Sequence, residues 1–238
     1  MNVRQCLSVI AILAAFASPL QAAEGSGYGR VKPSADGTGI VYLGRETAAV
    51  MGHEGADWLE RPERVAEERP DLLLAALALK PGMQVADIGA GTGYYSWRMA
   101  ERVGPGGCVL AVDVQPEMLA MLRTEMKKRR ADNVVPVLGT TTDPRLPAGS
   151  IDVVLMVDVY HEFDHPREML DAMVRALKPG GRVVFVEYRA EDASVPIKPL
   201  HKMSEAQVRR EAAAAGLQWK ETAETLPWQH IVIFTKGR

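Results

Sequence analysis

The stretch that decides the fold is Val85-Ala86-Asp87-Ile88-Gly89-Ala90-Gly91-Thr92-Gly93-Tyr94. It has the composition of a buried strand with an acidic residue near its end, followed by a turn in which every second residue is glycine. Glycine allows positive φ and lets a ligand approach the backbone closely. Because residues 95–101 favour a helix, the turn also offers free N–H groups and a positive dipole end to a negatively charged group. Open α/β sheets bind nucleotides at strand-to-helix turns of this kind.

A second acidic residue ends the next predicted strand. Asp113 follows the glycine turn by about 20 residues, the spacing expected of a carboxylate that binds ribose hydroxyls. A carboxylate accepts two hydrogen bonds at once, which suits a vicinal diol. The alternative is that Asp113 caps the helix predicted to begin near Pro116. The two roles are compatible.

Strands and helices alternate from residue 70 onward, which indicates parallel βαβ units. A helix is predicted from Pro70. The other predicted helices are 94–103, 116–130, 166–177 and 204–215. The predicted strands are 84–88, 109–113, 134–138, 151–157 and 182–187, with a terminal hairpin of 216–225 and 230–236.

The glycines follow the pattern G-x-G-x-G rather than the G-x-G-x-x-G of dinucleotide-binding enzymes. With Asp87 two residues ahead, the stretch resembles motif I of class I S-adenosylmethionine-dependent methyltransferases. The resemblance runs from about Asp71 to Phe234 and is greatest to small-molecule methyltransferases, the group that includes quinone-biosynthesis enzymes. It includes the segments 79–83, 109–113, 150–156 and 177–184.

The resemblance implies a fold, an activity and a cofactor. The expected fold is α/β: a doubly wound, mostly parallel seven-stranded sheet with an antiparallel last strand and helices on both faces. The expected activity is methyl transfer from S-adenosylmethionine (SAM) to a small molecule. The alternatives are a nucleotide-dependent oxidoreductase and an exported SAM- or nucleotide-binding protein without catalysis.

The resemblance also locates the cofactor at the carboxyl ends of the strands. Thr141 follows the third strand, where the family contacts adenine, and Asp158 follows the fourth, where it would face the positive charge of the cofactor or hydrogen-bond a loop. The candidate cofactor-binding residues are Asp87, Gly89, Ala90, Gly91, Gly93, Asp113, Val114, Thr141 and Asp158.

The resemblance places the donated methyl group and its acceptor after the fourth strand. His161 is the candidate general base because an imidazole exchanges protons near neutral pH, with Tyr160 and Glu162 as positioning groups. The alternative is that His161 caps the next helix or binds a backbone carbonyl. His201 resembles a surface or turn residue, and no His, Cys, Asp and Glu spacing suggests a metal site.

Three domains are predicted. Residues 1–22 have the charge, the short apolar run and the small residues of a secretory signal peptide, so we expect export to the periplasm. The alternative is a retained membrane anchor, although the run is short for a span. Residues 23–69 are predicted to be an N-terminal extension or lid, with a flexible lead-in over 24–34. Residues 70–238 are the predicted SAM-binding domain.

Within the extension, Trp58, Arg61 and His53 are candidate substrate contacts: a flat apolar wall, a cation for an anionic group and a neighbouring imidazole. The alternative is a segment docked by Trp58 and surface ion pairs. The chain of 238 residues carries a net charge of −2, so no basic excess indicates a nucleic-acid partner. A small-molecule partner is expected, no stable membrane span is expected after signal cleavage, and the oligomeric state is left open.

Overall fold

The computed structural model describes residues 27–237, which form two β-sheets with helices around the larger one. The predicted signal peptide lies outside the described residues. In the part of the chain from 27 to 237, no helix is both long enough and apolar enough to cross a membrane.

The strands divide between a three-stranded sheet near the N-terminus and a seven-stranded sheet. The three-stranded sheet contains β1 (Tyr28–Arg30), β2 (Gly37–Tyr42) and β3 (Arg45–Ala48). The larger sheet contains β4 (Gln84–Ile88), β5 (Cys108–Asp113), β6 (Val134–Leu138), β7 (Ile151–Val157), β8 (Leu177–Tyr188), β9 (Leu217–Ala223) and β10 (Gln229–Lys236).

Seven α-helices and three 3-10 turns connect these strands in the described residues. The helices are α1 (Ala56–Leu59), α2 (Arg64–Glu68), α3 (Pro70–Ala76), α4 (Ser96–Val103), α5 (Pro116–Arg129), α6 (Pro166–Ala176) and α7 (Glu205–Ala214). The 3-10 turns are His53–Gly55, Tyr160–Glu162 and Pro199–His201. Proline at the first helical position starts α3, α5 and α6, where its missing N–H costs nothing.

The large sheet has the strand order β6-β5-β4-β7-β8-β10-β9. The pairs within β6-β5-β4-β7-β8 are parallel, whereas β10 is antiparallel to both of its neighbours. The predicted fold class is therefore confirmed, including the antiparallel last strand. The strands β5 and β6 follow on one side of β4, and β7 and β8 follow on the other, so the strand order reverses between β4 and β7. A crevice opens at such a switch point.

Each face of the sheet packs against its own group of helices. Val85, Val109 and Leu155 pack with residues of α3, α4 and α5. Ala86 and Met156 point the other way and pack with residues of α6 and α7. Alternate side chains of a strand face opposite sides, so a strand buried on both faces is apolar throughout.

The three-stranded sheet corrects the predicted flexible lead-in over residues 24–34, because β1 pairs with β2 in that region. Tyr42 and Arg45 pair across a two-residue turn in which Leu43 and Gly44 both have positive φ, at 46° and 93°. This is the backbone of a tight hairpin turn that follows the strand twist. Leu43-Gly44 between two β-rich runs was the sequence signal for it.

An internal ion pair attaches the small sheet to the large domain. The Arg45 guanidinium donates to both carboxylate oxygens of Glu211 on α7, at 2.8 and 2.9 Å, and both side chains are almost fully buried. Arg45 Nη1 also donates to the carbonyl of His161 at 3.0 Å. Arg45 thus joins β3, α7 and the turn that follows β7.

Candidate functional site

The glycine turn after β4 is held against β5 by two backbone donors. Gly91 N–H donates to Asp113 Oδ2 at 2.9 Å, and Ala90 N–H donates to the carbonyl of Val112 at 2.9 Å. Gly89 and Gly91 have φ values of 68° and 54°, which favour glycine. The carboxylate of Asp113 therefore contacts the glycine turn directly.

A cavity of about 430 Å³ opens at the carboxyl ends of the strands. It extends from the ends of β5 and β4 to the residues after β7 and β8. Six of the candidate cofactor-binding residues line it: Gly89, Gly91, Asp113, Val114, Thr141 and Asp158. The volume lies in the range of small-molecule sites.

Asp87, Gly93 and Ala90, the other candidate cofactor-binding residues, lie outside the cavity lining. Asp87 is buried beneath the turn, where Oδ2 accepts a 2.6 Å hydrogen bond from the Ser96 hydroxyl. Burial raises the pKa of Asp87 to about 6, and the Ser96 hydrogen bond opposes the rise. A Cβ added to Gly93 would lie 2.7 Å from Met126 Cε of α5, so this glycine serves helix packing.

Asp158 lines the cavity in a left-handed backbone conformation. Its φ is 50°, its Oδ2 accepts a 2.7 Å hydrogen bond from the amide of Gln229, and its Oδ1 is buried without a hydrogen-bond partner among the described residues. Burial raises the pKa of Asp158 well above its usual value, and the carboxylates of Glu68 and Glu187 raise it further. A cationic group in the cavity would offset the repulsion among these carboxylates and lower the pKa of Asp158.

The residues after β7 and β8 supply a cluster of imidazoles and carboxylates. His161 Nδ1 lies 2.6 Å from Glu187 Oε2, and His161 Nε2 lies 3.2 Å from His201 Nδ1. Glu162 Oε1 accepts a 3.2 Å hydrogen bond from the N–H of Met51. Burial raises the pKa of Glu162 to about 7 and lowers that of His201.

Sequence reasoning missed Glu187 and His201 as members of this cluster. Glu187 lies in the apolar strand β8, where a charged residue in an otherwise buried run was the available signal. His201 belongs to the 3-10 turn Pro199–His201, and only the packing of that turn against Tyr160–Glu162 brings it to His161.

Tyr160, the candidate positioning residue beside His161, does not line the cavity. Its side chain is fully buried outside the lining, and its hydroxyl donates to Glu211 Oε2 at 2.8 Å. The ring packs edge-on against Phe185. Tyr160 therefore supports the turn that carries His161 from within the core.

Two of the three candidate substrate contacts reach the cavity. Trp58 and Arg61 both line the cavity. The Trp58 side chain is 50% exposed, and the guanidinium carbon of Arg61 lies 3.7 Å from the centre of the Trp58 ring. Arg61 also pairs with Glu67 and Glu68. His53 lies outside the lining, with its backbone N–H donating to the side chain of Gln115 and its ring beside Glu54.

Leu59 and Glu60 join the N-terminal segment to the glycine turn. The Thr92 hydroxyl donates to Glu60 Oε1 at 2.6 Å. A Cβ built on Gly91 would lie 2.6 Å from Leu59 Cδ1. Two residues of the N-terminal segment thus contact the glycine turn directly.

The geometry can be compared with known proteins. Residues 85–181 match the family model described as Methyltransferase domain. This methyltransferase domain contains the glycine turn, Asp113, Asp158 and the turn with His161. Outside it lie Trp58, Arg61, Glu187 and His201.

The chain is also similar to known proteins and to solved structures. An arsenite methyltransferase of Halobacterium salinarum is 36% identical over 111 residues, covering 47% of this chain and 28% of the relative. A demethylmenaquinone methyltransferase of Lactococcus lactis is 30% identical over 123 residues, covering 52% and 47%. The chain thus spans less than half the length of the curated relatives it matches.

A SAM-dependent methyltransferase structure from Aquifex aeolicus superimposes with a TM-score of 0.75 at 26% identity, covering 79% of this chain and all of that one. The fold is that of Rossmann-like methyltransferases. The domain match, the relatives and this structure imply SAM as the cofactor.

Proposed function

We propose that the protein is a class I SAM-dependent methyltransferase that acts on a small molecule. The observation that carries the proposal is the continuity of one cavity. Its lining begins at Gly91 and Asp113 and continues to Asp158 and His161. A nucleoside-binding turn and a group suited to proton transfer therefore share one space.

The residues present fit the cofactor. The carboxylate of Asp113 already accepts N–H groups from Gly91 and Gln115, and its oxygens retain lone pairs for two ribose hydroxyls. The buried Oδ1 of Asp158 lacks a hydrogen-bond partner among the described residues, and the ammonium group of the cofactor would donate to it. Bound SAM supplies an activated methyl group.

The chain's own residues must orient the acceptor, exclude water and accept a proton. His161 is the proposed proton acceptor, as predicted, because its Nδ1 is fixed by Glu187 while its Nε2 is directed away from that carboxylate. Trp58 and Arg61 are the proposed acceptor contacts at the lid.

The predicted domain division and location are retained as proposals. Residues 23–69 form the extension, of which 50–68 cover the cavity, and residues 70–238 form the SAM-binding domain. The composition of residues 1–22 supports export to the periplasm. Fractionation of cells, with detection of the mature N-terminus by mass spectrometry, distinguishes a cleaved signal peptide from a retained anchor.

Calorimetric titration of the purified protein against S-adenosylhomocysteine and, in parallel, NADH tests the cofactor assignment. We expect one binding site for S-adenosylhomocysteine and none for NADH. Binding of NADH alone would favour the oxidoreductase alternative and overturn the proposal.

Transfer of a labelled methyl group from SAM to a panel of phenols, quinols and thiols then tests catalysis. Methylation that is lost in His161→Ala, with binding of S-adenosylhomocysteine retained, is the expected result. Binding without transfer to any member of the panel would favour an exported binding protein.

A further inference from the structure

We propose that His161, Glu162 and His201 bind a divalent transition-metal ion, with Zn²⁺ as the occupant, in the cavity beside β7 and β8. This departs from the sequence prediction, in which no metal site was expected. Binding of the ion does not rest on the proposed methyl transfer, whereas its role toward the acceptor does.

The three ligand atoms already have the spacing of a metal site. His161 Nε2 lies 3.2 Å from His201 Nδ1 and 4.0 Å from Glu162 Oε1, and the last two atoms are 3.9 Å apart. A point equidistant from all three lies about 2.2 Å from each, close to the roughly 2.0–2.2 Å of Zn–N and Zn–O bonds. The side chains need only small shifts to coordinate an ion.

A second layer of hydrogen bonds holds these ligands. Glu187 Oε2 is 2.6 Å from His161 Nδ1, and a carboxylate can only accept there, so Nδ1 carries the proton and Nε2 presents its lone pair to the ion. Glu187 Oε1 accepts from the N–H of Tyr160 at 3.0 Å, which fixes the carboxylate itself. Glu162 is held by the N–H of Met51. Metal-binding histidines commonly have such a carboxylate partner.

The arrangement also leaves room for a further ligand. All three residues line the cavity, and two imidazoles with one carboxylate leave a tetrahedral ion one open position. An acceptor hydroxyl bound there would have a lower pKa and would lose its proton more readily. With the ion bound, Nε2 of His161 is a ligand and no longer the base; the ion would lower the pKa of the bound hydroxyl, and the released proton would pass to solvent water.

The test is a titration of chelator-treated full-length protein with Zn²⁺, and with Co²⁺ followed by its visible absorption, both in the absence of SAM. We expect one ion per chain, with the intense Co²⁺ absorption of a tetrahedral site. His201→Ala and Glu162→Ala should abolish stoichiometric binding. Glu187→Gln, which keeps the ligands but weakens their support, should lower affinity about tenfold to hundredfold.

His165→Ala is the matched control, because His165 lies close in sequence but outside the cluster and the cavity lining. It should bind Zn²⁺ like the wild type. Far-ultraviolet circular dichroism and melting of each variant separate loss of a ligand from loss of the fold. Absence of stoichiometric Zn²⁺ binding by the wild type, or its retention in folded His201→Ala, would overturn the proposal.

The outcome is independent of the cofactor titration. Zn²⁺ binding without S-adenosylhomocysteine binding would refute the proposed methyl transfer and leave the metal site standing. S-adenosylhomocysteine binding without Zn²⁺ binding would refute the metal site and leave His161 as the proposed base.

Discussion

Asp113 Oδ2 accepts the N–H of Gly91 at 2.9 Å, so the carboxylate proposed to bind ribose also holds the glycine turn in place. The other oxygen, Oδ1, accepts the N–H of Gln115 at 2.9 Å. Burial raises the pKa of Asp113, and these two backbone donors oppose the rise. One side chain thus connects the ends of β4 and β5 at the cavity.

Replacing this carboxylate should weaken cofactor binding. Asp113→Asn loses charge-assisted hydrogen bonds, which contribute about 1.5–3 kcal/mol each, so we expect the affinity for S-adenosylhomocysteine to fall about tenfold to hundredfold. Calorimetry measures it. Asp152→Asn is the control, because Asp152 holds the N–H of Gln84 at the opposite end of the sheet. Equal affinities of Asp113→Asn and wild type would remove the ribose assignment.

The glycines of the turn should respond differently to an added methyl group. Gly91→Ala brings Cβ to within 2.6 Å of Leu59 Cδ1, at the cavity, whereas Gly93→Ala meets Met126 in the core. We expect Gly91→Ala to lose S-adenosylhomocysteine affinity by about tenfold or more, because the backbone must approach the ligand. Gly93→Ala should instead lose about 1–3 kcal/mol of unfolding free energy through overpacking.

Gly149→Ala controls for backbone strain in both variants. Its φ is 61°, and a Cβ there meets no atom within 4 Å, so it should lose only the roughly 1–2 kcal/mol of a left-handed alanine. Urea denaturation and calorimetry on the three variants separate the effects. Loss of affinity in folded Gly93→Ala but not in Gly91→Ala would contradict the assignment.

Asp87 should make folding depend on pH. Burial raises its pKa to about 6 from 3.8, so the folded protein holds this proton more tightly than the unfolded chain. Its contribution to stability is complete below the unfolded pKa and is lost as pH rises through about 6. Relative to Asp87→Asn, the wild type should lose roughly 2 kcal/mol of unfolding free energy between about pH 4.5 and pH 8.

Urea denaturation at several pH values measures this loss. Ser96→Ala removes the hydrogen bond that lowers the pKa of Asp87 and should move the transition to higher pH. If the unfolding free energies of the wild type and Asp87→Asn changed with pH in parallel, the Asp87 carboxyl would not titrate in the predicted window.

The buried Arg45–Glu211 pair should be needed for the docking of the small sheet. Arg45→Met leaves the Glu211 carboxylate buried beside Tyr160, so we expect a loss of about 3–5 kcal/mol of unfolding free energy. Arg210→Met is the control: Arg210 is exposed and donates to the carbonyl of Leu43 on the same sheet. It should change stability by less than about 0.5 kcal/mol.

Denaturation of the double variant Arg45→Met/Glu211→Leu completes this test. Removing both charges should restore most of the lost stability, because no uncompensated buried carboxylate remains. A single Arg45→Met variant as stable as the wild type would mean that the pair contributes little to docking.

Local pattern predicted the elements of the large sheet well. The strands Gln84–Ile88, Val134–Leu138 and Ile151–Val157 begin and end where the sequence predicted. The predicted strand 182–187 begins earlier, at Leu177, because Ile151 pairs with that residue beyond a register shift. The boundary was set by pairing with the neighbouring strand β7, and the residues of β8 alone carry no information about that pairing.

Side-chain direction was harder to predict than position in the chain. The side chains of Asp87 and Tyr160 face the interior, whereas those of Asp113, Asp158 and His161 face the cavity. Residues one or two positions apart differ in this way because the turn dihedrals and the packing of α4, α5 and α7 set each direction.

The sequence by itself determined the α/β fold, the glycine turn and the placement of Asp113 beside it. Those features follow from apolar periodicity, turn residues and the meeting of parallel strands at one edge, which are all local or topological. Only the tertiary structure decided that Glu187 and His201 converge on His161. Such contacts join segments far apart in sequence, and the packing of side chains between them, rather than any spacing along the chain, brings them together.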